Sequence, residues 1–366
     1  MNVDELRYRI ALTFIPGIGN ILAKNLISYC GTSEAVFKEK KKALMKIPGI
    51  GFKNAMAVLD STALEKAESE IEFIREYNIT SLFYLDKDYP QRLRNCEDGP
   101  ILLFYKGNVD LNTHRVISVV GTRNATHYGK GFLEKFVSDI AEFDLTLISG
   151  LAYGIDVFAH KMAVKNGIPT LGILGHGLDF LYPTQHSKLA KKIITHGGLI
   201  SEYPSLTSPD RENFPKRNRI IAGMCDAVIV VETKERGGSM ITAEIANSYN
   251  RDVFAVPGRI DDEYSSGCNR LLKNNKASML ESAHDLAYLM GWEQNKKSPG
   301  KQIKLLLNLT SNEKKIVDYL QNSSGEHIDR ISLATQLSVS QTASVLLNLE
   351  LSNVVKCLPG KQYLLV

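Results

Sequence analysis

The chain has 366 residues, 44% of them hydrophobic, and a formal net charge of +4. This length and composition predict two or three folded domains and argue against a disordered chain. The small positive charge permits a polyanionic partner without requiring one, so cations that bind a polyanion have to be concentrated locally.

The cysteine and apolar patterns predict a cytoplasmic protein. The five cysteines are odd in number, far apart and never form CxxC, so we expect reduced thiols and no zinc site. The N-terminus is charged where a signal peptide needs an apolar stretch, and no apolar run approaches the roughly 20 residues of a membrane helix. The eight histidines show no paired ligand spacing, so no metal is expected.

An internal repeat opens the chain, because Ile-Pro-Gly-Ile-Gly occurs at 15–19 and again at 47–51. Each copy is typical of a helix, a tight turn and a second helix, which predicts a helix-hairpin-helix (SAM-like) domain over residues 1–72. Backbone amides of such hairpins either contact a DNA phosphate or serve packing alone. The candidate residues for this secondary phosphate contact are Gly17, Gly19, Gly49, Gly51 and Lys53, with Lys24 as an assisting cation.

A regular alternation of strands and helices follows a lead-in at residues 80–107. The strand-like runs are continuously apolar, as expected when both faces of a sheet are covered. The alternation predicts a Rossmann-like, doubly wound parallel sheet in an α/β domain over residues 73–291. The predicted strands are 116–120, 145–149, 170–174, 199–203, 227–231 and 252–256.

The C-terminal part predicts a linker and a small third domain. Residues 292–303 are polar, contain Pro-Gly and are typical of a linker. Residues 304–366 show three short helical patterns and a hairpin, which predicts a winged-helix domain. Its candidate recognition helix, 339–353, contains no Lys or Arg and is rich in leucine. We therefore expect this domain to face a protein or to regulate, not to read duplex DNA.

Cations and glycines follow the first, second and fourth predicted strands. Ligands of open parallel sheets bind outside the carboxyl ends of the strands, so these loops should meet at one edge. Arg and Lys there predict an anion site, most simply for phosphates, which neighbouring glycines let backbone amides approach. The candidate residues are Gly121, Thr122, Arg123, Gly150, Lys161, Lys216, Arg217, Asn218 and Arg219. Tyr128 or Phe214 could stack on a base, although Phe214 fits the core equally well.

Other chemistries fit these loops poorly. The Gly-Lys after the first strand has the wrong spacing for a Walker A loop, and no GxGxxG is present, so no nucleotide cofactor is predicted. Ser149, Asp156 and His160 do not suggest a triad, because Ser149 lacks a GxSxG turn and the other two lie one helical turn apart. No catalytic residue is predicted.

Several stretches together resemble the DNA-processing protein A (DprA/Smf) family. The most specific are "VGTRNATHYG" (120–129), "SGLAYGIDVFAHKMA" (149–163) and "FPKRNRIIAG" (214–223), in family order within residues 80–280. The resemblance implies a non-enzymatic DNA-binding protein that binds single-stranded DNA and loads the recombinase RecA during natural transformation. It also implies a homodimer formed through the Rossmann-like domain, and an anion pocket that uses Arg123, Lys161 and the stretch 217–219.

Two other functions stay open at this point. The loop 237–244 resembles the phosphate loop of phosphoribohydrolases that cleave nucleoside monophosphates, and Glu244 has the spacing of their catalytic carboxylate. Met240 and Ile241 replace the Gly and Thr of that loop, which weakens this nucleotide-binding or enzymatic alternative. A structural adaptor with only a RecA-loading surface is the third reading, and the apolar segment 266–275 could form either the dimer contact or core.

Overall fold

A computed structural model describes residues 3–59, 62–292, 309–321, 326–352, 354–358 and 361–365. The chain forms two compact units, residues 1–294 and 295–366. Apart from Trp292, the predicted linker at 292–303 lies outside the described residues.

The first unit begins with a helical region in which the sequence repeat is also a structural repeat. Gly17 and Gly49 hold φ of 77° and 83°, which glycine adopts without strain. Gly19 and Gly51 each precede the second helix of a hairpin with φ of −86°. The helices are α1 (Val3–Ala11), α2 (Asn20–Cys30), α3 (Ser33–Lys38), α4 (Lys41–Leu44), α5 (Phe52–Val58) and α6 (Thr62–Glu76).

A nine-stranded, mostly parallel sheet forms the rest of the first unit, in the order β1-β2-β6-β5-β4-β3-β7-β8-β9. All pairs from β6 to β9 along this order are parallel, whereas β1 and β2 pair antiparallel at one edge. The strands are β1 (Thr80–Phe83), β2 (Leu102–Gly107), β3 (Val116–Val120), β4 (Thr146–Ser149), β5 (Thr170–Leu174), β6 (Gly197–Ser201), β7 (Ala227–Val230), β8 (Asp252–Ala255) and β9 (Ser278–Met279).

The path of the chain creates a switch point between β3 and β7. From β3 the chain adds β4, β5 and β6 on one side, then returns to place β7, β8 and β9 on the other. Connections that diverge in this way leave a crevice at the carboxyl ends of the two central strands. The predicted doubly wound parallel sheet is therefore confirmed.

Helices cover both faces of the sheet, which explains the continuously apolar strands. On one face, α8, α9 and α14 pack over side chains such as Ile117 and Ile229. On the other face, α11, α12 and α13 pack over Ile148 and Val228. The connecting helices are α7 (Gln91–Arg94), α8 (His127–Ile140), α9 (Ile155–Lys165), α10 (Ser187–His196), α11 (Asn213–Gly223), α12 (Gly238–Ser248), α13 (Ser266–Lys273) and α14 (Ala283–Leu289).

A polar seam joins the helical region to the sheet, and it contains two of the predicted anion-binding cations. Arg219 forms an ion pair with Glu202, with 13% and 11% of the two side chains exposed. Asn20 donates to Glu202 at 3.4 Å and accepts from the Ile101 amide at 3.0 Å. Burial raises the pKa of the Glu202 carboxyl, and the Arg219 guanidinium opposes that rise. The seam fixes the helical region against the edge of the sheet.

Lys24 belongs to the same seam. Its ammonium donates to the carbonyls of Glu97 at 2.8 Å and Cys96 at 3.2 Å. Lys24 and Arg219 therefore serve an internal contact, whereas the sequence assigned both to phosphate binding. The sequence pattern did not show which helix faces turn toward the seam, and phosphate binding by these two residues stays a prediction.

The second unit has the three helices and the small sheet of a winged helix. Its core contains Ile316, Ile331, Leu346 and Leu349. The helices are α15 (Ser311–Leu320), α16 (Ile328–Thr335) and α17 (Val339–Leu351), and the strands β10 (Glu326–His327), β11 (Val355–Leu358) and β12 (Gln362–Leu365) pair in the order β10-β12-β11.

The seam predicts a large effect of a single truncation. Arg219→Ala leaves the Glu202 carboxylate buried without its cation, so we expect a loss of about 3–5 kcal/mol in the free energy of unfolding. Lys216→Ala, on the same helix, removes an exposed lysine 3.8 Å from Glu212 and should cost less than about 0.5 kcal/mol. Urea denaturation measures both. A loss below about 1 kcal/mol for Arg219→Ala would contradict the seam.

Candidate functional site

A cavity of about 580 Å³ lies at the switch point, above the carboxyl ends of β3 and β7. Its wall is formed by the loop after β3, the start of α9, the start of α11, and the loop from β7 into α12. We call it the rim cavity. Its lining residues include Gly121, Thr122, Arg123, Asn124, Asp156, Tyr182, Arg211, Phe214, Arg217, Asn218, Lys234, Gly237, Gly238, Ser239 and Tyr264.

The loop after β3 is held rigidly, which fixes the position of Arg123. The Thr122 amide donates to the Glu232 carbonyl at 2.6 Å, and the Thr122 carbonyl accepts from the Ile155 amide at 3.1 Å. Gly154 packs so closely against Thr122 and Arg123 that a Cβ there would overlap their backbone. The Arg123 side chain is exposed, with its guanidinium carbon 5.7 Å from the centre of the Phe214 ring. Arg123 is therefore available to a ligand.

The floor of the cavity contains a buried charged group, Arg217, with 4% of its surface exposed. Its Nη1 donates to the carbonyls of Gly150, at 2.7 Å, and Ile173. Burial lowers the pKa of Arg217 to about 10, while the nearby Asp156 carboxylate raises it. Burial raises the pKa of Asp156, and Arg217 opposes that rise. Arg217 thus stays cationic at neutral pH and joins the ends of β4 and β5.

The lining of the rim cavity is strongly cationic. Arg123, Arg211, Arg217 and Lys234 line it, and Asp156 is the one carboxylate among its described lining residues. Asp156 is buried beside Arg217, and Lys234 forms an ion pair with Glu263 at 2.6 Å. In the described part of the chain, Arg123 and Arg211 form no ion pair. The cavity is therefore suited to an anion.

Six of the residues that the sequence assigned to the site do lie together. The structure brings Gly121, Thr122, Arg123, Phe214, Arg217 and Asn218 to the rim cavity. It does not bring the other five there, namely Gly150, Lys161, Lys216, Arg219 and Tyr128.

Each of these five has a physical reason to lie elsewhere. Gly150 is covered by the Arg217 guanidinium, which occupies the space that a Cβ would take, and its carbonyl serves Arg217. Lys161 and Lys216 are exposed, on the outer faces of α9 and α11. Tyr128 donates to the Pro257 carbonyl at 2.5 Å and lines a separate depression beside α8. Arg219 lies in the seam.

Among the polar groups of the cavity that the sequence analysis missed are Arg211, Lys234, Ser239 and Tyr264. Lys234 and Ser239 could have been predicted from the sequence, because Lys234 and the Gly-Gly-Ser stretch follow β7 just as the predicted cations follow β3 and β4. That loop was instead compared with an enzyme loop. Arg211 lies in the long connection after β6, where no local pattern marks it.

Ser149, Asp156 and His160 lie close together, since Ser149 hydrogen-bonds to both of the others, but all three are buried and engaged within the protein. The Ser149 hydroxyl donates to the Val119 carbonyl at 2.6 Å, and His160 Nδ1 lies 2.7 Å from the Thr170 hydroxyl. Glu244 lies outside the rim cavity, 3.7 Å from the Lys276 ammonium. The carboxylate with the spacing of the phosphoribohydrolase catalytic residue, that of Glu244, therefore does not reach the rim cavity.

The described residues show neither a metal cluster nor a membrane-spanning helix. Among them, no group of three or more His, Cys, Asp or Glu side chains is placed to hold a metal ion. Within the same ranges, no helix has the length and hydrophobicity needed to cross a bilayer. The five cysteines are free thiols.

Three family models match the chain. The model of the DNA recombination-mediator protein A family matches residues 80–291, the DprA winged helix domain matches 305–361, and a SAM-like helix-hairpin-helix tandem matches 10–61. Protein Smf of Synechocystis is 31% identical over 399 residues, covering 98% of both chains. DNA processing protein DprA of Streptococcus pneumoniae is 43% identical over 206 residues, 56% of this chain and 72% of the relative.

Two solved structures are also similar. The X-ray structure of DNA processing protein A from Streptococcus pneumoniae superposes with a TM-score of 0.67 at 36% identity, covering 77% of this chain and 97% of that one. A structure of DNA processing protein A from Helicobacter pylori, which concerns its binding of single-stranded DNA, has a TM-score of 0.53 at 27% identity. It covers 58% of this chain and 95% of that one.

The buried His160 predicts a pH dependence of stability. Burial lowers its pKa from the usual 6.5 to about 3. Between these values the unfolded chain takes up a proton that the folded protein refuses, so stability falls as the pH is lowered. His160→Asn keeps a donor for Thr170 and cannot titrate. From pH 6.5 to 4.5 the wild type should lose about 1.4 kcal/mol per pH unit more than this variant. Urea denaturation across this range measures the difference, and equal slopes would contradict it.

Proposed function

This chain belongs to the DNA recombination-mediator protein A family, also called DprA/Smf, and we propose that it binds single-stranded DNA in the rim cavity. The observation that carries the proposal is the charge of that cavity. Four cations line it, and its described lining includes a single carboxylate, which is buried beside Arg217. A cavity with this balance at the switch point of a parallel sheet favours a phosphate-bearing ligand.

An unpaired strand fits the lining better than a duplex does. Phe214, Tyr182 and Tyr264 line the cavity beside Arg123, and Tyr182 and Phe214 lie 6.0 Å apart between ring centres. Aromatic rings bind bases whose faces are free, at about 1–3 kcal/mol per base, whereas duplex bases already stack on one another. The Helicobacter pylori relative, which is described as binding single-stranded DNA, supports the same conclusion.

Some residues of the rim cavity bind the ligand in this proposal, and others fix the geometry of the cavity. Arg123 binds a phosphate through two parallel hydrogen bonds, and Asn218 adds a polar contact. Arg217 contributes its charge from the floor while it fixes the ends of β4 and β5. Lys161 and Lys216 are exposed outside the cavity, and we assign them to neighbouring phosphates of the strand.

We further propose that the second hairpin of the helical region makes the secondary phosphate contact predicted from the sequence. Gly49, Gly51 and Lys53 are exposed there. In the first hairpin, Gly17 and Gly19 are also exposed, but the neighbouring Asn20 and Lys24 are engaged in the seam. Phosphate contact by these residues stays a prediction.

We propose a binding and loading role, not an enzymatic one. The carboxylate that lines the cavity, Asp156, is buried against Arg217, and Glu244 lies elsewhere. Family membership supports the further proposals that the protein acts in the cytoplasm and loads RecA during natural transformation. We also propose a homodimer through the sheet domain, where the edge strand β9 leaves Met279 54% exposed.

The role of Arg123 can be tested by its removal. Arg123→Ala should weaken binding of an oligothymidylate by about tenfold, since one charge-assisted contact is lost. Its slope of log affinity against log salt should become shallower by about 0.7, the value for one phosphate on a single strand. Fluorescence anisotropy at several salt concentrations measures both.

Lys165→Ala is the control, since it removes one positive charge from the far end of α9. It should leave both the affinity and the salt slope unchanged. Equal effects of the two substitutions would show that net charge, not the rim cavity, determines binding, and an unchanged Arg123→Ala variant would contradict the proposed site.

RecA loading depends on the same cavity if the strand has to be held there first. Arg123→Ala should reduce the stimulation of RecA-catalysed strand exchange in proportion to its loss of strand binding. The measurement is the initial rate of strand exchange with wild type, Arg123→Ala and Lys165→Ala. Absence of stimulation by a wild-type protein that binds the strand would contradict the loading role and leave the binding role intact.

A further inference from the structure

Several helices begin at the rim of the sheet, and two of their N-termini are occupied by the protein itself. The carboxylate of Glu232, which is fully buried, accepts from the Thr126 hydroxyl and, at 3.0 Å, from the Thr126 amide at the start of α8. The first amide of α9, that of Ile155, donates to the Thr122 carbonyl at 3.1 Å. These two helix ends therefore have no room for an external anion.

The N-terminus of α12 is different, because it is open. Gly237 is its N-cap and supplies no side-chain hydrogen bond to the first turn. A Cβ placed on Gly238 would meet nothing within 4 Å, so the space beside its Cα is free, whereas the Thr233 hydroxyl packs against Gly237. Gly237, Gly238 and Ser239 all line the rim cavity. This helix end faces the same space as Arg123.

Ser239 provides a second and independent sign of a ligand. Only 6% of the residue is exposed, and its hydroxyl oxygen has no hydrogen-bond partner among the described residues. A buried hydroxyl without a partner loses its hydrogen bonds to water with no compensation, so such groups in folded proteins usually have a hydrogen-bond partner. Because Ser239 lines the cavity, the missing partner belongs there.

The surroundings determine the charge of that partner. A helix N-terminus favours negative charge, through its free amides and the partial positive charge of the helix dipole. Lys234 and Arg123 line the same cavity, and the carboxylate of Asp156 is buried beside Arg217. The ligand group is therefore an anion with several acceptor oxygens.

We propose that the first turn of α12, with the Gly238 and Ser239 amides and the Ser239 hydroxyl, is a second phosphate subsite of the rim cavity. It rests on the proposed function, since it takes a phosphate of the same bound strand while Arg123 holds another. A strand held at two phosphates on opposite walls has a defined path across the switch point. The aromatic side chains between the walls then meet its bases.

The test places an internal anion in the subsite. Ser239→Asp puts a carboxylate at the start of α12, as Glu232 does at α8, whereas the isosteric Ser239→Asn carries no charge. Binding of an oligothymidylate should fall about tenfold or more in Ser239→Asp relative to Ser239→Asn. The salt slope should become shallower by about 0.7. Equal affinities and slopes for the two variants would overturn the proposal.

The thermal stability of a Ser239→Ala variant distinguishes a ligand-binding role of Ser239 from a structural one. Ser239→Ala removes a hydroxyl that has no partner in the free protein, so its Tm should equal or exceed that of the wild type while its affinity for the strand falls. Ser248→Ala, at the other end of α12, should leave affinity unchanged. A lower Tm of Ser239→Ala with unchanged affinity would show a structural role and overturn the proposal. This test also holds if Ser239→Asp fails to fold.

Further probes identify the source of the phosphate and separate this proposal from the proposed function. Wild type and Ser239→Asp are compared by thermal shift with inorganic phosphate, with thymidine monophosphate and with the oligothymidylate. A thermal shift of the wild type alone with any of the three probes supports the subsite, and the probe that produces it tells whether a free ion, a nucleotide or a strand is needed.

If the wild type binds no oligonucleotide, the proposed function fails, while a thermal shift with inorganic phosphate that is lost in Ser239→Asp still supports the subsite. Identical shifts of both proteins with every probe overturn it.

Discussion

The burial of the Arg217 guanidinium is the constraint on which the rim cavity depends. One of its nitrogens bonds to the carbonyls of Gly150 and Ile173, at the ends of two neighbouring strands, and its charge lies beside Asp156 at the start of α9. A buried cation is costly unless it is surrounded in this way, so these groups hold one another in place. Gly150 is required because any side chain there would occupy the space of the guanidinium. The loop that carries Arg123 packs on the same helix start, and its geometry follows from this arrangement.

Much of the sheet could be predicted from the sequence, because buried parallel strands are marked by continuous apolar runs. β3 and β5 have the predicted bounds, whereas β6 begins two residues earlier, at Gly197. The repeated glycine turns of the helical region could also be predicted from the sequence, since a positive φ is a local property of the chain. Strand order is not local, and no pattern in the sequence showed that the chain returns to place β7 beside β3.

The candidate site was only half predictable, and α11 shows why. Lys216, Arg217 and Arg219 lie within four residues, but successive residues of a helix point about 100° apart. Lys216 consequently faces solvent, Arg217 lies buried in the floor of the cavity, and Arg219 lies buried in the seam. Three cations that are close in sequence therefore have three different structural roles. The carbonyl and carboxylate partners that decide those roles come from β4, β5 and β6, far away in the chain.

The occupied and open helix ends bear on the proposed binding of a strand by a sheet whose relatives in fold bind a dinucleotide. In dinucleotide-binding sheets the pyrophosphate lies at the helix that follows the first strand of the fold. Here the N-cap of the corresponding helix, α8, is Thr126, whose amide and hydroxyl donate to the Glu232 carboxylate, and the close packing of Gly129 on that carboxylate leaves no space for another anion. The open end is that of α12, across the switch point from the Arg123 loop. In the proposed mode of binding, an anion is thereby directed away from the usual cofactor position and across the rim, from one wall of the cavity to the other.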